Sequence, residues 1–235
     1  MDSDAMRWAL EDALREMETA ASEQQLQQFV RYFELLIEWN GRMNLTAITS
    51  PAEVAQKHFA DSLQSLKYIP QGAACIDVGT GAGLPGIPLC IMRPDIRMTL
   101  LDSQNKRVTF LREVCEQLGI KAATLHQRAE DAANTPLRGS FSVALSRAVA
   151  PTPVLMEYTL PFCAIGGLSI AYKGRDIEEE IKTASRALSV LGGRLKGIEK
   201  FRFSWGERSL VLVQKVVKTP RLYPRKAGTA AKQPL

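Results

Sequence analysis

Two carboxylates and four glycines form the part of this chain best suited to chemistry. Asp77 and Asp102 each end an apolar run, and between them lies Asp77-Val-Gly79-Thr-Gly81-Ala-Gly83-Leu-Pro85-Gly86. Glycines so spaced let the backbone take positive φ and let a ligand lie against it without a Cβ intervening. The order is strand, glycine turn, helix, strand: a βαβ unit with a nucleotide-type ligand at its switch point. Asp102, at the carboxyl end of the second strand, is placed to accept hydrogen bonds from two ribose hydroxyls. The glycines alone leave the ligand open, because Gly81-Ala-Gly83-Leu-Pro-Gly86 also fits a dinucleotide fingerprint, and a tight turn with no ligand fits as well. Asp77 favours a third reading. A carboxylate there repels a pyrophosphate but suits a ligand carrying an ammonium and a sulfonium, as S-adenosylmethionine (SAM) does.

The remaining reactive residues exclude several chemistries. The histidines are His58 and His126, and neither forms a Ser/His/Asp or Cys/His pattern. Cys75, Cys90, Cys115 and Cys163 have no metal-ligand spacing and sit among apolar neighbours, so buried reduced thiols and no metal are expected. The segment expected after the fourth strand reads Ser146-Arg147-Ala148-Val149, without the Asn/Asp-Pro-Pro-Tyr/Phe of exocyclic-amine methyltransferases.

The elements that must hold these residues follow from periodicity. Helices are expected at about 4–20, 22–40 and 51–67. The second has a Ser22/Gln25 capping box at its start and Asn40-Gly41 at its end, and the third has Pro51 at its first turn. Strands are expected at about 74–78, 98–102, 122–126, 141–146, 167–172, 194–203 and 208–216, and helices at about 85–92, 104–118, 152–161 and 176–190. Alternation of this kind gives a mainly parallel sheet with helices on both faces, and the last two strands form a hairpin at Ser204-Trp205-Gly206. The fold class is therefore α/β, a seven-stranded Rossmann-like sheet of the class I SAM-dependent methyltransferase type with an N-terminal helical cap. The segments are 1–70 (cap), 71–217 (methyltransferase domain) and 218–235 (basic tail).

The charge is unevenly spread. The whole chain is +5, yet residues 1–38 hold nine acids and three bases, so the rest is +11. No acid follows Glu207, whereas Lys215, Lys218, Arg221, Arg225, Lys226 and Lys232 do. Such a tail suggests a polyanion partner or a solvated terminus. No apolar run approaches a membrane span and the N-terminus lacks a signal-peptide core, so a cytoplasmic protein, independent of membranes and monomeric, is expected.

Several blocks taken together resemble the bacterial 16S ribosomal RNA guanine-N7 methyltransferases, also called the glucose-inhibited division protein B family. They are Trp39-Asn40 with Asn44-Leu-Thr46, His58-x-x-Asp61-Ser62, Ile76–Leu89, Leu100-Leu-Asp102-Ser103 with Lys106-Arg107, Ser146-Arg147-Ala148, Tyr172-Lys173-Gly174, Glu207-Arg208, and the tail from Tyr223. The resemblance runs nearly end to end, leaving out the first 15 or so residues. It implies transfer of a methyl group from SAM, with S-adenosylhomocysteine (SAH) as product, to one guanine in the 530 loop of the small-subunit RNA. The partner would be 16S rRNA, the small ribosomal subunit or its precursor. Carried over by position, the cofactor site comprises Asp77, Gly79, Gly81, Gly83, Leu84, Asp102, Ser103, Ala129, Glu130 and Arg147. Ala129-Glu130 would lie at the adenine end, and Arg147 is the candidate catalytic residue. Lys173, Arg208, Arg225 and Lys226 are the candidate RNA contacts. Guanine N7 has a free lone pair, so no general base is required.

If the tail lies on phosphates, deleting residues 218–235 removes five cations. The slope of log K against log salt for a single-stranded target should then fall by up to about 3.5 units. Binding titrations over a range of salt would read this directly, and an unchanged slope would take the tail off the RNA.

Overall fold

The computed structural model describes residues 2–235. Seven strands form one sheet in the order β3-β2-β1-β4-β5-β7-β6. They are β1 (Ala74–Val78), β2 (Arg97–Asp102), β3 (Ala123–His126), β4 (Phe141–Arg147), β5 (Cys163–Lys173), β6 (Gly193–Phe203) and β7 (Gly206–Lys215). The ladders β3-β2-β1-β4-β5 are parallel, and β7 lies antiparallel between β5 and β6. The hairpin expected at Ser204-Trp205 produces this reversal, because its second strand is the one that reaches β5. Strand order turns at β1, which has β2 on one side and β4 on the other. Chain connections leave β1 and β4 in opposite directions there, and a crevice opens at the carboxyl ends.

Side-chain alternation divides the core. Leu210 and Leu212 of β7 join one cluster, while Val211 and Val213 join another. The first lies under the N-terminal cap: α1 (Asp2–Glu16), α2 (Glu23–Met43) and a helical segment that begins as α3 (Pro51–Glu53). The second lies under α7 (Thr152–Thr159), α8 (Glu178–Thr183) and α9 (Ser185–Leu191). Along the sheet run α4 (Gly86–Met92), α5 (Asn105–Leu118) and the one-turn α6 (Ala129–Ala132). Cap and sheet share one apolar cluster, which joins Phe29 and Phe33 to Leu100 and Leu145.

Helix α2 shows how this is built. Ser22 and Gln25 exchange the capping-box bonds, and Gln25 Nε2 also donates to the Ile91 carbonyl 3.0 Å away. Its apolar face buries Leu26, Phe29, Tyr32, Phe33, Leu35 and Leu36. The helix passes the expected stop at Asn40-Gly41 and ends at Met43, where Asn44 takes a left-handed φ of 50°. The next helical segment changes how tightly it winds, not its hand: α3 runs into a π-helix at Val54–Ala60 and a 3-10 stretch at Leu63–Tyr68. The helix expected at 176–190 is broken at Ala184 into α8 and α9. Helices α6 and α10 (Thr229–Lys232), four residues each, are too short for periodicity to reveal. Among the described residues no helix is long and apolar enough to cross a membrane. All four cysteines are free and buried, as their apolar surroundings suggest.

The cap reaches the glycine turn through one side chain. Fully buried Tyr32 donates its hydroxyl to the Ala82 carbonyl. A Cβ at Gly83 would come within 2.9 Å of that hydroxyl, so the close fit needs glycine there. Tyr32→Phe leaves the carbonyl without this donor and should lower the unfolding free energy by about 1–3 kcal/mol. Urea denaturation should show an earlier midpoint at the same m-value. An unmoved midpoint would mean that the turn does not depend on the cap.

Candidate active site

The two carboxylates do different work. Asp77, at the end of β1, is fully buried. Its Oδ2 accepts the Thr80 hydroxyl at 2.6 Å and the Gly86 N–H at 2.8 Å, and so holds both ends of the turn. A Cβ at Gly86 would fall 2.9 Å from that oxygen and 2.4 Å from Leu100 Cδ2. Asp77 Oδ1 has no partner. Burial pushes the carboxyl up to about 6, against the bonds from Thr80 and Gly86. The sequence suggested a carboxylate facing the ligand; its first task here is to clamp the loop from behind.

Asp102 stands at the crevice. Its Oδ2 accepts the Gly81 N–H at 2.9 Å, where the backbone has a φ of 61°, and Oδ1 accepts the Gln104 N–H at 2.8 Å. Each oxygen retains capacity for another donor. A cleft of about 140 Å³ opens beside it, lined by Gly79, Asp102, Ser103, Ala129, Glu130, Val149 and Tyr158 among others. Of the expected cofactor residues, five therefore line one cleft: Gly79, Asp102, Ser103, Ala129 and Glu130. Asp77, Gly81, Gly83 and Leu84 belong to the framework of the turn; Leu84 is buried in the cap-side core.

Arg147 lies on a second cleft of about 290 Å³, with Asp61, Gln64, Ala148, Tyr172, Lys173, Gly174, Arg208 and Ser209. The loop leaving β4 separates the two: Ala148 lines the second cleft and Val149 the first. Ala148 holds a left-handed φ of 55°, unusual for a residue with a side chain. Arg147 Nη1 lies 3.3 Å from Asp61 Oδ2 and also faces the His58 carbonyl and the Ser62 hydroxyl. Arg208 Nε donates to the other Asp61 oxygen at 2.8 Å. Burial raises the Asp61 carboxyl and both guanidiniums oppose that rise. Lys173 Nζ bonds Glu180 at 2.7 Å and the Ala150 carbonyl at 2.9 Å.

Three candidate RNA contacts thus carry intramolecular partners: Lys173 with Glu180, Arg208 with Asp61, and Arg225 with Glu157. Lys226 is exposed. His58 is neutral at physiological pH, lowered to about 4 chiefly by burial and then by nearby Arg147, and its Nε2 lies 2.8 Å from Thr46 Oγ1. His126 Nε2 lies 3.2 Å from the Ser103 carbonyl. Neither histidine lines either cleft. Sequence reasoning gave no role to Asp61, Tyr158, Val149 or Glu157. Asp61 and Val149 were visible only within longer segments, Tyr158 reaches the first cleft by tertiary packing, and Glu157 beside it meets Arg225.

The chain matches a family described as GidB, rRNA small subunit methyltransferase G, over residues 25–211. A protein of that name from Desulforamulus reducens is 51% identical over 232 residues, covering 96% of this chain and 97% of its own. One from Clostridium perfringens is 46% identical over 220 residues, covering 91% and 92%. Among solved structures, an O-methyltransferase from Bacillus cereus in complex with SAH aligns with a TM-score of 0.56 at 17% identity, over 79% of this chain and 90% of its own. TYW2 from P. horikoshii aligns with a TM-score of 0.55 at 15% identity, over 69% and 63%. These structural neighbours share the fold.

The Asp77 environment generates a pH test. Its carboxyl titrates at about 6 in the folded chain and 3.8 as an ordinary aspartate. Between those values the folded form keeps a proton that the unfolded form has lost, so Asp77 stabilises the fold at low pH. That contribution disappears as pH rises through 6, and the shift corresponds to about 3 kcal/mol. Asp77→Asn keeps an oxygen for Thr80 and Gly86 without the charge. Its stability relative to the parent should therefore climb between pH 4 and 7, as read by denaturant unfolding at each pH. Taking the difference cancels His58, whose depressed value acts in the opposite direction. A pH-independent difference would show that Asp77 ionises as easily as in solution.

Proposed function

This chain belongs to the rRNA small subunit methyltransferase G family, and from that premise we propose that it methylates N7 of a guanine in the 530 loop of 16S rRNA, using SAM. One observation supports the reading: two clefts flank the Arg147–Val149 loop, one lined by Gly79, Asp102 and Glu130 and the other rimmed by arginine and lysine. The substrate is the small subunit or its precursor, acted on in the cytoplasm by a monomer.

The first cleft fits SAM on three counts. Asp102 offers carboxylate oxygens to ribose hydroxyls. Gly79 gives a backbone edge with no Cβ, and one added there would meet Val149 Cγ2 at 2.8 Å. The unpartnered Asp77 Oδ1, one residue from the cleft wall, is a buried acceptor that an ammonium would satisfy. Ala129, Glu130 and Tyr158 would flank the adenine.

Bound SAM supplies a sulfonium-activated methyl group, which the N7 lone pair can take without prior loss of a proton. The protein's own part is then positioning: nucleophile and methyl carbon must be held about 3 Å apart and in line. Arg147 is suited to this. Its guanidinium is fixed by Asp61 and by main-chain oxygens, so little freedom is lost when a base or phosphate docks. Arg208, on the other side of Asp61, and Lys173 present further positive charge to the RNA backbone.

A base in a stacked loop must be turned out to reach the second cleft, which Arg147 lines. Methylation of another RNA site with the same chemistry is the alternative, and the product base separates the two. A strain lacking the gene should lose one 7-methylguanosine from small-subunit RNA, seen by nucleoside mass spectrometry and mapped to the 530 loop. Restoring the parent gene should return it; Arg147→Ala should not. Arg147→Lys should recover less than a tenth of the activity, because a point charge cannot reproduce the guanidinium fork. In vitro, Asp102→Asn should raise KM for SAM about 10-fold or more, in line with a lost charge-assisted bond of about 1.5–3 kcal/mol. Retention of the modified base in the deletion strain would overturn the proposal.

A further inference from the structure

The acid-free tail is folded, and it is folded against the cofactor cleft. Arg138 Nη2 donates to the Thr219 and Pro220 carbonyls at 2.9 and 3.1 Å, while its Nη1 donates to the Ala133 carbonyl beside α6. Further on, Tyr223 and Leu235 pack against the α7–α9 core, and Ala230 is buried. Between these anchors lies Arg225. Its main-chain N–H and its Nε both donate to Glu157 Oε1, at 2.7 and 3.0 Å, and Nη2 donates to Oε2 at 2.7 Å. Glu157 is 1% exposed. A carboxylate so enclosed cannot lose its guanidinium without being left as an uncompensated buried charge.

Both residues that the tail grips are tied to the cleft. Glu157 is followed on α7 by Tyr158, whose ring lines it. Gly228 N–H donates to Glu130 Oε1 at 3.1 Å, and Glu130 lines it too. Helix α6, which carries Ala129 and Glu130, is thus braced from both sides: by Arg138 at one end of the docked segment and by Gly228 at the other. We propose that the basic C-terminal segment braces the wall of the cofactor site from behind, with Arg225 as a positioning residue that sets affinity for the adenosine end of the ligand through Glu157, Tyr158 and Glu130. The inference rests on the reading of this cleft as the SAM site. It also reverses the expectation from charge for one cation, since Arg225 faces Glu157 and not phosphate.

The test uses the full-length protein. Calorimetry with SAH would compare the parent with Arg225→Ala and Arg225→Lys, alongside KM for SAM, KM for RNA and the salt slope of RNA binding. Arg225→Ala should weaken SAH binding 10-fold or more and raise KM for SAM by a similar factor. KM for RNA and the salt slope should stay as they were. Arg225→Lys should recover part of the SAH affinity, because an ammonium meets the charge of Glu157 without its fork. Should Arg225→Ala not fold, hydrogen exchange on the parent decides: SAH should slow exchange of the Arg225 and Gly228 amides. Parent-like SAH binding in Arg225→Ala with a smaller salt slope, or unchanged amide exchange at these positions, would overturn the proposal. A parent protein that binds no SAH would instead remove the reading of the cleft itself.

Discussion

Everything at the crevice depends on two buried carboxylates bonded to main-chain N–H groups. A glycine-rich turn has many ways to be disordered, and glycine loses more freedom on ordering than any other residue. Asp77 ties Thr80 to Gly86, and Asp102 ties Gly81 to the start of α5. The four bonds close the turn at two points and set its distance from β2. Tyr32 adds a third hold from the cap side, at Ala82. The N-terminal helices are therefore part of the site: they fill the cap-side face of the sheet and deliver one hydroxyl to the loop that shapes the cleft.

A second carboxylate organises the other cleft in a different way. Asp61 sits in the segment where the helix widens and then tightens, between the π-turn and the 3-10 stretch. From there it reaches Arg147 at the end of β4 and Arg208 on β7, two strands that are not neighbours. Burying one carboxylate between two guanidiniums leaves a net positive charge at the rim. Asp61 holds both guanidiniums in place, so the ordering cost of these long side chains is met in folding. The same segment carries the Ser62 carbonyl that accepts the Tyr172 hydroxyl at 2.6 Å, which fixes β5 to the cap beside the cleft.

Local pattern made the sheet legible. The apolar runs, the glycine turn and the acids that end β1 and β2 lie within a few residues of one another, and each strand appeared within a few residues of its observed position. The Ser22/Gln25 box was legible for the same reason. What stayed hidden depends on residues far apart in sequence. Periodicity has no signature for a π-turn at Val54–Ala60, nor for a one-turn helix such as α6. The inward clamp of Asp77 could not be told from an outward one, because both put an acid at a strand end. Whether the carboxylate faces the ligand or the turn is decided by Thr80 and Gly86, which curl back behind it.

Formal charge was the least reliable guide, for a reason that applies beyond the tail. A count of lysines and arginines measures the field only where their partners are absent or screened. Here Arg147 and Arg208 meet Asp61, Lys173 meets Glu180, and Arg225 meets Glu157, each pair joining two different segments of the fold. The carboxylates of Asp61 and Glu157 are almost wholly enclosed, which makes these pairs specific in geometry and unlike exposed ones in character. A cation bound in this way contributes shape before it contributes potential. Arg147, Arg208 and Lys173 are thus parts of a cleft wall, whereas side chains such as Lys226 and Lys106 stand exposed to solvent.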